Sequence, residues 1–259
     1  MKLQLFSDLH LESEAFEPAP QPDAELLVLA GDIDTTWRAY ERFADWPVPV
    51  IAVAGNHEFD GRELNDAWPA LREHLARYGI ALLERESTVV TAKDGSRIRF
   101  LGTVRWCDFD VFGSARRERA MRAGGYFQRV MAATLDGKPF DAAAVRDEAL
   151  ACRAWLATTL AEPGEGRWDR TVAITHFAPS LKSADPRFAA TLPSTASFCN
   201  ADDDLLPHAA LWLHGHLHCR VDYRASLTDA NSTRVASQAR GLARKGETQG
   251  FDAARLIEA

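Results

Sequence analysis

The sequence predicts a layered domain of the mixed α/β class. Three observations carry that prediction: short apolar runs that end in turn chemistry, helical periodicity between the early runs, and later runs joined as hairpins. Residues 2–7, 26–30 and 50–54 form the first three runs, the second leading into Gly31-Asp32 and the third into Gly55-Asn56. They are too brief for helices and read as buried strands. Residues 35–45 are expected to be helical. Over residues 62–78, Leu64, Ala67, Leu71, Leu75 and Tyr78 recur at three- and four-residue spacing, and Gly79 stops that helix. Residues 80–83, 87–92 and 97–102 read as antiparallel strands, the last two joined by the hairpin signal Lys93-Asp94-Gly95-Ser96. Two helices are expected over 112–134 and 141–160, and strands resume at 171–175, 210–213, 219–224 and 233–237. The expected organisation is a single domain over 1–259 with a helical excursion at about 104–162. Residues 11–25, acidic and carrying Pro18, Pro20 and Pro22, form an extended loop.

A formal net charge of −7 gives no electrostatic help toward a polyanion, which argues against a nucleic-acid polymer as partner. It leaves room for a small phosphorylated substrate, because bound cations reverse the local sign. The four cysteines, Cys107, Cys152, Cys199 and Cys219, form no CxxC pair and read as reduced thiols. No signal-peptide core and no run near the ~18 apolar residues of a membrane span is present, so a cytoplasmic protein with no membrane partner is expected.

The polar residues fall where the strands end. Asp8 and His10 follow the first strand, Asp32 the second, Asn56 and His57 the third; His176 follows 171–175, and His214-Gly215-His216-Leu217-His218 follows 210–213. Ligand sites in α/β sheets gather beyond the carboxyl ends of strands, and Asp, His and Asn are oxygen and imidazole metal ligands. Each motif alone has a bland reading: Gly-Asp is often a turn, and a lone histidine is often a satisfied core residue. Three imidazoles in five residues beside a glycine, after four earlier strand ends of the same chemistry, rarely arise for packing alone.

The order SDLH (7–10), GDID (31–34), GNHE (55–58), THFAPS (175–180) and HGHLH (214–218) resembles the calcineurin-like metallophosphoesterase superfamily, whose pattern is D-x-H, G-D, G-N-H-[D/E], H and G-H-x-H. The resemblance implies a four-layer sandwich, two mixed β-sheets packed face to face and flanked by α-helices, with the site at one edge. Carried over by position, it implies that Asp8, His10 and His218 hold one metal and that Asn56, His176 and His216 hold a second. Asp32 bridges them, which suits a carboxylate between cations ~3.5–4 Å apart. The cofactors implied are two divalent or trivalent transition-metal ions, with Mn, Fe, Zn and Co all compatible with these ligands. The activity implied is hydrolysis of a phosphate ester by a metal-bridging hydroxide, because coordination lowers the pKa of water toward ~7. His57 is left over from the ligand set and is the candidate general acid for the leaving group. Glu58 orients it or forms a surface ion pair. His214 is a pocket residue or simply a strand end.

Departures from better-defined relatives narrow the substrate. The Asp-Arg-Gly of phosphoprotein phosphatases is missing at Asp32-Ile33-Asp34, and the arginine of lipid A pathway hydrolases is replaced by His57. Cyclic-nucleotide phosphodiesterases usually carry Asp where Glu58 stands, a mild change, so a cyclic-nucleotide phosphodiesterase or nuclease is the alternative enzyme. A non-catalytic metal-binding scaffold is the alternative of another class. Within 104–140, Arg105, Trp106, Arg116, Arg117, Arg119, Arg122, Tyr126 and Phe127 either frame a phosphorylated, ring-bearing ligand or form an amphipathic helix with a solvated basic face, the reading preferred. Asp202-Asp203-Asp204 reads as a solvated loop or helix start. Arg240-Gly241 with Phe251 resembles the closing turn of many bacterial members.

Overall fold

A strand buried on both faces needs apolar side chains at every position, and the runs at 26–30 and 50–54 have them. The structure is a computed structural model and describes residues 1–187, 191–226 and 232–259. In chain order the strands are β1 (Lys2–Phe6), β2 (Leu26–Ala30), β3 (Val50–Val53), β4 (Ile80–Leu82), β5 (Glu86–Thr91), β6 (Arg97–Thr103), β7 (Thr134–Leu135), β8 (Lys138–Pro139), β9 (Arg170–Thr175), β10 (Leu211–His214), β11 (Arg220–Ser226), β12 (Ser232–Gln238) and β13 (Leu256–Glu258). The helices are α1 (Leu64–Ala76), α2 (Arg117–Met131) and α3 (Ala142–Leu160).

Two large mixed sheets result. The first has the order β13-β1-β2-β3-β4 and the second β11-β12-β10-β9-β6-β5. β1 to β4 run parallel, with β13 antiparallel to β1 at one edge. β12, β10, β9 and β6 are likewise parallel, and β11 and β5 close the edges antiparallel.

Alternate side chains on each strand serve different layers. Leu3, Leu5, Val28 and Ile51 meet Phe100, Val172, Leu213 and Ala236 between the sheets. Leu27, Leu29 and Ala52 face the other way and pack with Leu71 and Leu75 of α1. On the far side, Leu101, Ala173, Trp212 and Val235 cover Leu156 and Leu160 of α3. Helix, sheet, sheet and helix make four layers, each interface closed by side chains worth about 1.5–3 kcal/mol apiece when fully buried. The α3 end is set by Asp141, whose side chain accepts from the amides of Ala143 and Ala144.

The structure corrects three of the expected elements. Over 35–45 only a 3-10 turn forms, at Arg38–Phe43, because Trp37 (φ 67°) and Asp45 (φ 56°) turn the chain left-handed at both ends. Asp34 also accepts from the amides of Thr36 and Ala39, drawing the backbone into a tight loop instead of a helix. β4 is parallel to β3, since α1 carries the chain back over the sheet before it re-enters. The helix expected over 112–134 starts later, at Arg117, after Gly113 (φ 82°) breaks the run. No helix among the described residues is long and apolar enough to cross a membrane.

Candidate metal centre

The strand ends of the two sheets meet at one edge. A bridge between Ser7 and Ala239 joins the end of β1 to the end of β12. From there, the amide of Asp8 donates to Gly31 O and that of His10 to Asp32 O, so the first loop is zipped to the second. The amide of Gly215 donates to His176 O, and the amide of His216 to both carboxylate oxygens of Asp8, at 2.9 and 3.0 Å. This packing leaves no room for side chains on the motif glycines. A Cβ on Gly31 would lie 2.4 Å from His176 Nδ1, and one on Gly55 would lie 2.1 Å from Asp32 Oδ1. Asp8, His10, Asp32, His216 and His218 all have positive φ, between 48° and 69°.

Two groups of ligand atoms gather here, each within 4.8 Å: Asp8, His10, Asp32 and His218 in one, Asp32, His176 and His216 in the other. Asp32 belongs to both. Its Oδ1 accepts from the amide of His57 at 2.9 Å, and its Oδ2 lies 3.2 Å from His176 Nε2. Asn56 stands on the adjacent turn with its Oδ1 buried and without a partner.

The residues fit cations. His10 Nδ1 faces Glu12 Oε1 at 3.2 Å and His218 Nδ1 faces Glu247 Oε2 at 2.6 Å, so each ring keeps its proton on Nδ1. Their Nε2 atoms then carry lone pairs, yet stand only 3.0 Å apart and converge with Asp8 Oδ1, 3.6 Å from His218 Nε2. Two lone pairs and a carboxylate pointing at one place repel unless a positive charge lies among them. In the second group His176 Nδ1 donates to Ala30 O (2.8 Å) and His216 Nε2 to Ser197 O (3.2 Å). In their neutral forms His176 then carries a lone pair on Nε2, beside Asp32 Oδ2, and His216 one on Nδ1.

His57 lies beside these groups, its ring 5.2 Å from that of His10. Nδ1 is held by Asp60 Oδ2 at 2.8 Å, which leaves Nε2 without a hydrogen bond among the described residues. Burial disfavours its charged form, but Asp32, Asp60 and Glu58 outweigh that and push its pKa up to about 10. A cation on Asp32 would cancel part of that pull.

Three further sequence candidates stand outside both groups, and His214 ends β10, as one of its two readings has it. Glu58 neither touches the His57 ring nor reaches the surface. It is fully buried and accepts from the amides of Asp32 (3.0 Å), Ile33 (2.8 Å) and Gly55 (2.7 Å) and from Tyr40 Oη (3.0 Å). His214 joins neither group; Nδ1 donates to Gly215 O and Nε2 accepts from Ser183 Oγ, both at 3.0 Å, while burial lowers its pKa to about 4. Arg105 has all five donors committed inside the protein, to Asp202 twice, to Asp108, and to the carbonyls of Trp106 and Ala149. It has none left for a phosphate. Asp202, read from sequence as part of a solvated loop, is instead the buried partner of Arg105 and Arg153.

Sequence reasoning missed Glu12, Asp60 and Glu247, which orient His10, His57 and His218. Asp60 and Glu12 stand three and two residues after the rings they hold, which is a local signal. Glu247, 29 residues beyond His218, has none.

The sequence profile described as calcineurin-like phosphoesterase matches residues 1–220. Phosphopantetheinyl hydrolase (PptH) from Mycobacterium tuberculosis shares the fold at a TM-score of 0.71, covering 99% of this chain and 95% of its own at 18% identity. The calcineurin-like phosphoesterase YfkN from Bacillus subtilis aligns at a TM-score of 0.45 and 11% identity, over 92% of this chain and 80% of its own. No curated protein matches the sequence. With the profile spanning all five motifs and the sandwich it implies observed, the chain belongs to the calcineurin-like phosphoesterases, a metal-dependent family of hydrolases.

Proposed function

We propose that this protein hydrolyses a phosphate mono- or diester of a small molecule at a two-cation centre. The observation that carries the reading is Asp32, shared by two groups of donors whose lone pairs converge. Asp8, His10, His218 and Asp32 would hold one cation, and Asn56, His176, His216 and Asp32 the other. Such cations supply Lewis-acid charge for the phosphoryl oxygens and a water acidic enough to ionise near pH ~7.

The remaining chemistry belongs to the chain. Asp60 keeps one proton on His57 Nδ1, so the ring presents Nε2 to the site in a fixed orientation. Protonated His57 gives its Nε2 proton to the oxygen of the leaving alcohol, and the ring returns to its neutral form. His57→Ala is therefore expected to lower turnover about 10²–10⁴-fold with metal content unchanged. Loss of metal in that variant, measured by elemental analysis, overturns the acid role.

The test of the reading is hydrolysis of p-nitrophenyl phosphate and bis-p-nitrophenyl phosphate by chelated protein restored with Mn²⁺. Manganese-dependent turnover is expected, and the ratio of the two substrates assigns mono- or diesterase. The fold shared with a phosphopantetheinyl hydrolase makes a phosphopantetheinyl ester the first natural substrate to assay. No turnover of any of the three with Mn²⁺ bound favours the non-catalytic scaffold. All four cysteines are free and buried, which suits a reducing compartment such as the cytoplasm.

A further inference from the structure

The two halves of the candidate centre are built from the same ligand types but backed differently. An imidazole that donates its second N–H to a carboxylate is a more basic ligand than one donating to a peptide carbonyl. In the first group both histidines have carboxylate partners, His10 with Glu12 and His218 with Glu247. In the second group both have carbonyl partners, His176 with Ala30 O and His216 with Ser197 O. The formal charges point the same way. The first position has Asp8 and the shared Asp32 at hand, with Glu12 and Glu247 one hydrogen bond further out. The second has Asp32 and neutral Asn56.

Both glutamates are themselves fixed. Thr35 N donates to Glu12 Oε2 at 3.2 Å, and Leu242 N to Glu247 Oε2 at 2.9 Å. Glu247 reaches His218 because the chain passes it at Gly241 (φ 70°), where a Cβ would lie 2.7 Å from Glu247 Cβ and 3.1 Å from His218 Cβ. The amide of Gly241 in turn donates to Asp8 O at 3.0 Å. Glu247 lies beyond residue 220, outside the stretch matched to the family, and reaches His218 from the closing segment of the chain.

We infer that Glu12 and Glu247 are positioning residues that make the Asp8–His10–Asp32–His218 position the tighter of two unequal cation sites, and the first to fill. The inference rests on the two-cation reading above.

Calorimetric titration of chelated protein with Mn²⁺ tests it. Wild type is expected to bind in two resolved steps. His216→Ala should remove the weaker step and keep the tighter one. Glu247→Gln keeps an acceptor for His218 but removes the charge; it should weaken the tighter step about 10–100-fold and leave the weaker step in place. Glu12→Gln should do the same independently, and thermal unfolding of the metal-free variants checks that each is folded. A single class of equal sites in wild type, equal weakening of both steps by the glutamine variants, no change in either, or loss of the tighter step in His216→Ala each overturns the inference while sparing the two-cation reading. A wild-type protein that takes up no Mn²⁺ overturns both.

Discussion

Asp32→Asn is expected to reduce bound Mn²⁺ from two ions per chain to one or none and to lower phosphoesterase turnover by roughly 10³-fold or more. The substitution is isosteric, and Asn can still accept from the amide of His57 through its remaining oxygen. What it removes is charge and one lone-pair oxygen at the atom pair common to both donor groups. Asp32 is fully buried, and its pKa is held well below the usual carboxylate range: burial opposes ionisation, but the positive charge that His176, His57 and His10 carry when protonated outweighs it, a part that bound cations would take over. Its anionic form is therefore the one built into the site. Metal analysis beside bis-p-nitrophenyl phosphate hydrolysis checks the result. A variant that keeps both ions and wild-type turnover sinks the shared-ligand assignment.

Glu58→Ala is expected to lower stability by about 4 kcal/mol. Four backbone amides, that of Asp34 the longest at 3.5 Å, and the Tyr40 hydroxyl converge on this one buried carboxylate, and alanine removes the acceptor of all five. Water entering the space left by the side chain relieves part of that loss, so the penalties of ~1–3 kcal/mol per orphaned group do not simply add. For a chain of this size the melting temperature should drop by roughly 8–16 °C. Tyr40→Phe removes one of the five bonds and should lose only about 1 kcal/mol. Urea unfolding of both variants makes the comparison, and a Glu58→Ala protein within 1 kcal/mol of wild type contradicts the account. The two turns that Glu58 ties together carry Asp32 and Asn56, so turnover should fall as well even where the protein stays folded.

Much of this was legible because strand burial leaves a strong imprint. The runs at 26–30 and 50–54 are apolar at every position, since one set of side chains faces the partner sheet and the other faces α1. The five motifs stand at strand ends and in an order that a sequence records directly. Other features leave weaker traces. The direction of β4 depends on where α1 returns the chain, and three apolar residues cannot report it. The 3-10 turn at Arg38–Phe43 contains good helix formers and is overruled by left-handed residues on either side. The part played by Glu58 was invisible because its partners are mainly backbone amides, which every residue except proline possesses. By residue type Arg105 fits either a phosphate ligand or a solvated basic face, and only the buried Asp202 shows where its charge goes. Glu247 is one of many acidic residues until the closing segment folds back upon His218.

Five residues of the centre hold left-handed backbone without being glycine: Asp8, His10, Asp32, His216 and His218. Each such residue lies about 1–2 kcal/mol above a relaxed conformation, so together they set aside an amount comparable to the ~5–15 kcal/mol net stability of an ordinary domain. Heritable change is biased by that arrangement. Glycine at any of the five would ease the backbone while erasing a donor. A lineage, or a laboratory selection, that rewarded heat resistance and ignored turnover would thus tend to dismantle this edge of the sandwich before the rest. Relatives that keep the fold but lose the donors are the expected descendants of such drift, and they should melt higher than the working protein.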